Sequence, residues 1–236
     1  LGCLFAKGEF PVDYATVLTV AKCKDALMAG FTTFRDAGSV SEGLKLAFDE
    51  GVLPGPRIYP CGAYISQTCG HGDSEYAHTY RDIQYRHPSS TVLADGVPEI
   101  IRAVREQFYR GASHIKLMAT EILNRHEDIR LLFGTDMMIT GPDYQVEQSE
   151  DIRYYEKRFG TMRALRALTG TANEVFALTT YQNPYPKGKI GVLEAGSYAD
   201  LLLVDGDPTK SVSVLADTDH LRLIMKGGTV YKNTLC

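Results

Sequence analysis

Residues 111–118 read Gly-Ala-Ser-His-Ile-Lys-Leu-Met, a short apolar run that carries His114 and Lys116. Residues two apart on a strand point to one face, so these two side chains share a face. An ammonium among apolar neighbours is costly to keep charged, which makes Lys116 the most informative residue of the chain. Just upstream, the spacing predicts an amphipathic helix over 97–109 with Ile100, Ile101, Val104 and Phe108 on one side, ended by Gly111. Further upstream come a helix over 13–28 stopped by Gly30, a strand over 31–36, a helix over 41–50 closed by Gly51, and a strand over 57–63. Residues 64–95 read as a long polar loop, a length that usually marks function in a compact domain. Downstream, 121–128 suggest a helix and 129–133 an apolar strand that runs into Gly134-Thr135-Asp136. Helices are expected over 148–158 and over 161–178, the second interrupted at Gly170-Thr171. This alternation over 13–180 implies an α/β domain with a parallel sheet, either a barrel or an open doubly wound sheet. After Asn183-Pro184-Tyr185-Pro186 the pattern changes to short strands over 189–192, 199–204, 220–225 and 229–231. The expected division is therefore 1–180 and a small β unit over 181–236.

With 236 residues, 44% hydrophobic and 23% charged, the chain is an ordinary globular composition and not collagen-like, disordered or coiled-coil. A net charge of -4 without a basic run argues against nucleic acid or an anionic membrane as partner. No apolar stretch approaches a membrane span, and Leu1–Phe10 lacks the pattern of a secretory signal. Five cysteines without a C-x-x-C pair argue against a disulfide framework and for a reducing, cytoplasmic setting. The phosphate-binding glycine motifs, G-x-S-x-G and H-E-x-x-H are all absent from the sequence.

Three positions carry candidate chemistry. A lysine near the C-terminal end of a barrel strand faces the place where such enzymes react. As a neutral amine, Lys116 could take up carbon dioxide and bridge metal ions as a carbamate, or form a Schiff base with a carbonyl substrate. The plainer alternative is a lysine that snorkels to solvent. Asp136, reached through a tight turn at a strand end, suits a metal ligand or a general base, or else a helix N-cap. His71, within Gly70-His71-Gly72-Asp73, could hold an imidazole over a cleft or be a surface residue. His114 is expected to be a satisfied core histidine.

The blocks in which these residues lie are more specific together than singly. They are Ala29–Gly38 (AGFTTFRDAG), Gly55-Pro-Arg-Ile-Tyr59, Ser66–Asp73 (SQTCGHGD) and Ala94–Glu106 (ADGVPEIIRAVRE). Gly111–Ala119 (GASHIKLMA), Phe133–Met137 (FGTDM), Gly191–Pro208 (GVLEAGSYADLLLVDGDP) and Met225–Tyr231 (MKGGTVY) follow in order. In content and order they resemble the amidohydrolase superfamily, in its prolidase-like and imidazolonepropionase-like branch. The resemblance implies a (β/α)8 TIM barrel with a small composite β-sandwich-like domain. It implies a metal-dependent hydrolase that cleaves a C–N bond of an amide, dipeptide or cyclic amide through a metal-bridged hydroxide. By match, Lys116 would be the carboxylated lysine that bridges two divalent metals, usually zinc. Asp136 would be the strand-eight aspartate that binds metal and takes the proton of the hydrolytic water, and His71 would line the substrate pocket. The implied partner is a small amide or dipeptide, with self-association into a homo-oligomer also expected.

The departures from the family are equally specific. No H-x-H, the family's strand-one metal motif, occurs in the sequence, and the histidines of strands five and six have no counterpart. The distance from Ala119 to the strand-eight match is too short for three strand–helix units, and a whole barrel takes roughly 250 residues. Two accounts compete: intervening pieces are left out between the blocks, or this is a genuinely shortened relative. The first places junctions before 5–10, within 74–92, near 119–122 and around 139–147. It requires consecutively numbered Cα atoms farther apart than ~3.8 Å at those points. Two rival functions follow: a metal-free Schiff-base lyase using Lys116, and an inactive barrel relative with a structural or subunit-interaction role.

Overall fold

Helix α1 (Val12–Met28) buries its small residues, Ala15, Thr19, Cys23 and Ala26, and leaves Tyr14 and Val17 exposed. It opens a computed structural model that describes residues 12–38, 42–70, 72–73, 91–118, 132–134 and 144–235. The Asp136 and His71 assignments, the helix over 121–128 and most of the proposed junctions lie outside the described residues. The chain divides into two compact units. The first takes 1–20, 35–53 and 58–129, and the second 21–34, 54–57 and 130–236.

In the first unit, β3 (Tyr64–Ser66) pairs in parallel with β4 (Thr91–Leu93), Ile65 opposite Val92. On its other side β3 meets the lysine segment through a parallel bridge, Ile65 to Leu117. The Ile65 N–H donates to the Lys116 carbonyl and the Met118 N–H to the Ile65 carbonyl, both at 2.9 Å. The segment expected as a strand over 114–118 is therefore one bridge with two hydrogen bonds. The region expected as a long loop contains β3 and β4, whose apolar runs of three residues are too short to show a period.

Helix α3 (Val97–Tyr109) occupies the span that its pattern predicts, with Pro98 in the first turn and Gly111 (φ 93) just beyond the end. Its buried face packs Ala103 and Val104 against Ile65, Val92, Ala94 and Ile115. Helix α2 (Glu42–Asp49) buries Leu44 and Phe48. The strand expected over 57–63 ends early, as β2 (Arg57–Tyr59), because the chain turns at Gly62 (φ 67) around the buried side chain of Gln107. A Cβ at Gly62 would lie 2.5 Å from Gln107 Oε1, and that oxygen accepts the Ala63 N–H at 2.9 Å. The C-terminal end of β1 (Thr33–Arg35) leads to Asp36, whose N–H donates to the Tyr59 carbonyl at 2.9 Å.

In the second unit, α4 (Tyr144–Phe159), α5 (Thr161–Leu168) and α6 (Gly170–Ala177) follow one another. The interruption expected at Gly170-Thr171 within 161–178 falls one residue earlier, at Thr169, which lies outside the helical region at φ -130 and ψ -98. Ile152, Ala164, Val212 and Ala216 form one core with Phe31, Phe133 and Tyr155 packed on it. A three-stranded antiparallel sheet, β5 (Leu201–Val204), β6 (Leu221–Lys226) and β7 (Thr229–Asn233), packs Ile224 and Leu221 against Leu27. The strand expected over 189–192 is a turn. Gly191 sits at φ 76, and the Ile190 N–H donates to the Asn173 side chain at 3.3 Å rather than to a neighbouring strand.

Candidate active site

Within the first unit, three strand ends bring titratable groups to one place. Asp36 follows β1, Cys61 follows β2, and His114 and Lys116 lie on the segment bridged to β3. The carboxylate of Asp36, 7% exposed, accepts the Gly38 N–H at 3.2 Å and faces the Cys61 thiol at 3.5 Å. Burial, then the charge and hydrogen bond of Asp36, push the Cys61 thiol well above its usual range, against the pull of Lys116 and Arg35. Burial beside a carboxylate thus favours the protonated thiol. Burial lowers the Arg35 guanidinium, with Cys61 and Asp36 working the other way.

His114 is satisfied at both ring nitrogens, as expected. Its Nε2 lies 2.9 Å from the Asp36 carbonyl and its Nδ1 3.0 Å from Ser113 Oγ. A carbonyl accepts, so Nε2 carries the proton and Nδ1 is the acceptor in the neutral ring. Burial, then the charge of Arg35, brings the His114 pKa down to about 4, although its bond to Asp36 opposes the fall. Ser113 N–H donates to the Pro60 carbonyl at 2.7 Å, and the single proton of its hydroxyl is shared between that carbonyl at 3.0 Å and His114 Nδ1. The stretch that carries Lys116 is thereby pinned to the ends of both β1 and β2.

Lys116 is half-buried, with Nζ 5.7 Å from the centroid of the Tyr64 ring. It is near enough to Cys61 for its charge to act on that thiol. Sequence reading singled out neither Asp36 nor Tyr64, because a polar residue after a strand and a tyrosine in a loop carry no distinctive signal.

A divalent metal needs several donors converging on one point. Both nitrogens of His114 are engaged, and the Cys61 thiol is held protonated. Among the described residues no group of three or more His, Cys, Asp or Glu converges in a way that could hold a metal. These residues therefore do not by themselves form a metal centre, and Lys116 is the one family-matched ligand among them. No helix among the described residues is long and apolar enough to cross a membrane.

The model of the amidohydrolase family matches residues 5–127. Ochratoxinase from Aspergillus niger is 38% identical over 108 residues, which is 42% of this chain and 22% of that protein. The match thus spans about a fifth of the length of that curated relative. Among solved structures, one of an amidohydrolase superposes with a TM-score of 0.77 at 22% identity, covering 95% of this chain and 81% of that one. A prolidase complexed with N-methylphosphonate-L-proline gives 0.73 at 19% identity, over 98% of this chain and 83% of that one. At such identities the likeness shows a shared α/β fold.

Proposed function

This chain belongs to the amidohydrolase family, and on that premise we propose that it hydrolyses the C–N bond of a small amide, a dipeptide or a cyclic amide. The observation that carries the reading is the placement of Lys116. It lies half-buried beside a parallel strand pair, near enough to buried Cys61 for its charge to act there. The prolidase among the structural neighbours favours a dipeptide over other amides. The parallel pairing of β4, β3 and Leu117 supports a (β/α)8 barrel for the first part of the chain. The antiparallel β5–β6–β7 sheet supports a composite β-sandwich-like part at its end.

By the family match, Lys116 as a carbamate and Asp136 would hold divalent metal, two zinc ions in the full site. Such a metal, when bound, polarises a carbonyl and makes water a nucleophile near neutral pH. By the same match, Asp136 would take the proton of the attacking water and pass it to the leaving nitrogen, and His71 would line the substrate pocket. Cys61, raised well above its usual range, and His114, lowered to about 4, are given no role in proton transfer.

Lys116→Ala should abolish hydrolysis of an amide and dipeptide panel, by about a thousandfold or more, and remove bound metal with it. A variant that kept both would end the assignment. Asp136→Asn should retain much of the metal and lose turnover. The missing H-x-H favours a second reading, an inactive relative with a structural role. Metal content distinguishes the two, since about two zinc per chain supports the hydrolase and none supports the inactive relative.

A further inference from the structure

We propose that Arg35 is a specificity-determining residue of the proposed hydrolase: its guanidinium receives a carboxylate of the substrate, so that the chain acts on amides carrying a free acid, such as a dipeptide with an unblocked C-terminus. The inference rests on the C–N hydrolase reading and names the substrate class for it. Arg35 is the last residue of β1, at the strand end from which Asp36 continues. It is exposed, whereas Asp36 beside it is buried. The backbone there is fixed on both sides of Asp36. Its N–H donates to the Tyr59 carbonyl at 2.9 Å, and its carbonyl accepts from His114 Nε2 at 2.9 Å. The exposed cation is thus mounted on a clamped strand end, where a binding group is held more exactly than on a loop.

Arg35 differs from the other cations of the cluster and of the core in having no partner. Among the described residues its guanidinium makes no hydrogen bond and no ion pair. Asp36 attracts it from the next position, but that carboxylate lies against the Gly38 N–H and the Cys61 thiol. Cys61 and His114 are near enough to feel its charge, the first favoured as the thiol and the second as the neutral ring. Neither supplies a counter-charge. Arg57, by contrast, has the Asp200 carboxylate in direct contact. Burial nevertheless lowers the Arg35 guanidinium from its usual value. An exposed residue whose charged head is partly desolvated has protein on one side and an open approach on the other. An incoming anion stabilises such a head, and the planar guanidinium offers parallel N–H donors that match the two oxygens of a carboxylate. The match fixes orientation as well as charge. A substrate held by its acid end keeps its scissile bond at a constant place relative to the strand ends, and hydrolysis gains from that ordering.

The test compares the native full-length chain with Arg35→Gln, Arg35→Lys and a control, Arg102→Gln, which removes an exposed arginine of α3. The readout is the ratio of kcat/KM for the dipeptide Ala-Pro to that for its C-terminal amide. The native chain should favour the acid by about 10–100-fold, the worth of a charge-assisted pair. Arg35→Gln should bring the ratio close to one, mainly by raising KM for the acid. Arg35→Lys keeps the charge without the fork and should fall between the two, while Arg102→Gln should keep the native ratio. Two substrates are compared on one protein, so a general loss of stability or of metal does not move the ratio. Should circular dichroism show Arg35→Gln unfolded, Arg35→Lys carries the comparison. A native ratio near one would overturn the proposal, as would the native ratio in the folded Arg35 variants or an equal fall in Arg102→Gln. A native chain inert to both dipeptides would defeat the hydrolase reading, and calorimetric titration with the same two dipeptides then decides the role of Arg35. It keeps that role if the native chain binds the acid roughly tenfold tighter than the amide and Arg35→Gln does not, and loses it otherwise.

Discussion

Buried charge is handled in two ways in this molecule. In the second unit, Arg57 and Asp200 form an ion pair at 2.5 Å with both side chains 7% exposed. The guanidinium lies 4.2 Å from the Tyr198 ring centroid and 6.0 Å from that of Tyr185. The other carboxylate oxygen of Asp200 accepts the Gly227 N–H at 2.9 Å, and Lys226 donates to the Gly55 carbonyl. Each charge there is consumed by a direct, fixed partner. In the first unit, Asp36 meets a thiol and a backbone N–H, His114 meets a carbonyl and a hydroxyl, and Lys116 rests against an aromatic face. The first arrangement closes a structure. The second gathers several titratable groups whose partners here are neutral groups or an aromatic ring.

The contrast breaks most sharply at Asp200. Asp200→Ala leaves the Arg57 charge buried without its carboxylate and should cost about 3–5 kcal/mol in urea unfolding. A much smaller cost would mean that the pair is solvated and that the two regions differ less than their geometry indicates. In the first unit the comparable change is His114→Phe, which strips the Asp36 carbonyl of its donor. A loss of about 1–3 kcal/mol is expected, with most of it recovered by His114→Gln, whose amide reaches about as far as Nε2. Similar losses in both variants would show that ring packing, rather than the hydrogen bond, ties Asp36 to the lysine segment.

The two regions were also unequally legible in the sequence. The period of α3, its early proline and its closing glycine are local signals, and the helix forms over the expected span. The Arg57–Asp200 pair joins residues 143 positions apart, and no local pattern could have matched them. Strands β3 and β4 escaped because three residues each cannot display alternation, and their pairing is parallel, between segments distant in the chain.

The smallest expected effect concerns a charge that belongs to neither pattern. Glu156, on α4, accepts hydrogen bonds from Ser211 and Ser213 hydroxyls at 2.8 and 2.5 Å, from Thr161 at 2.8 Å, and from the Val212 N–H at 3.0 Å. Burial raises its pKa, but the bonds from Ser213, Thr161, Ser211 and Val212 outweigh that and bring it down to about 2. A depressed carboxylate contributes stability that is fully present above its unfolded pKa and is lost as pH falls toward the folded value. The native chain should therefore lose part of its stability between about pH 4.5 and 2 through this residue. Glu156→Gln keeps an oxygen for some of these donors, so its cost at neutral pH should be only ~1 kcal/mol, reduced by solvent screening. The difference between the two proteins should then shrink across that acid range. Urea midpoints measured from pH 6 downward would show it, and a constant difference would mean that the ring of hydroxyls binds the acid and the carboxylate equally well.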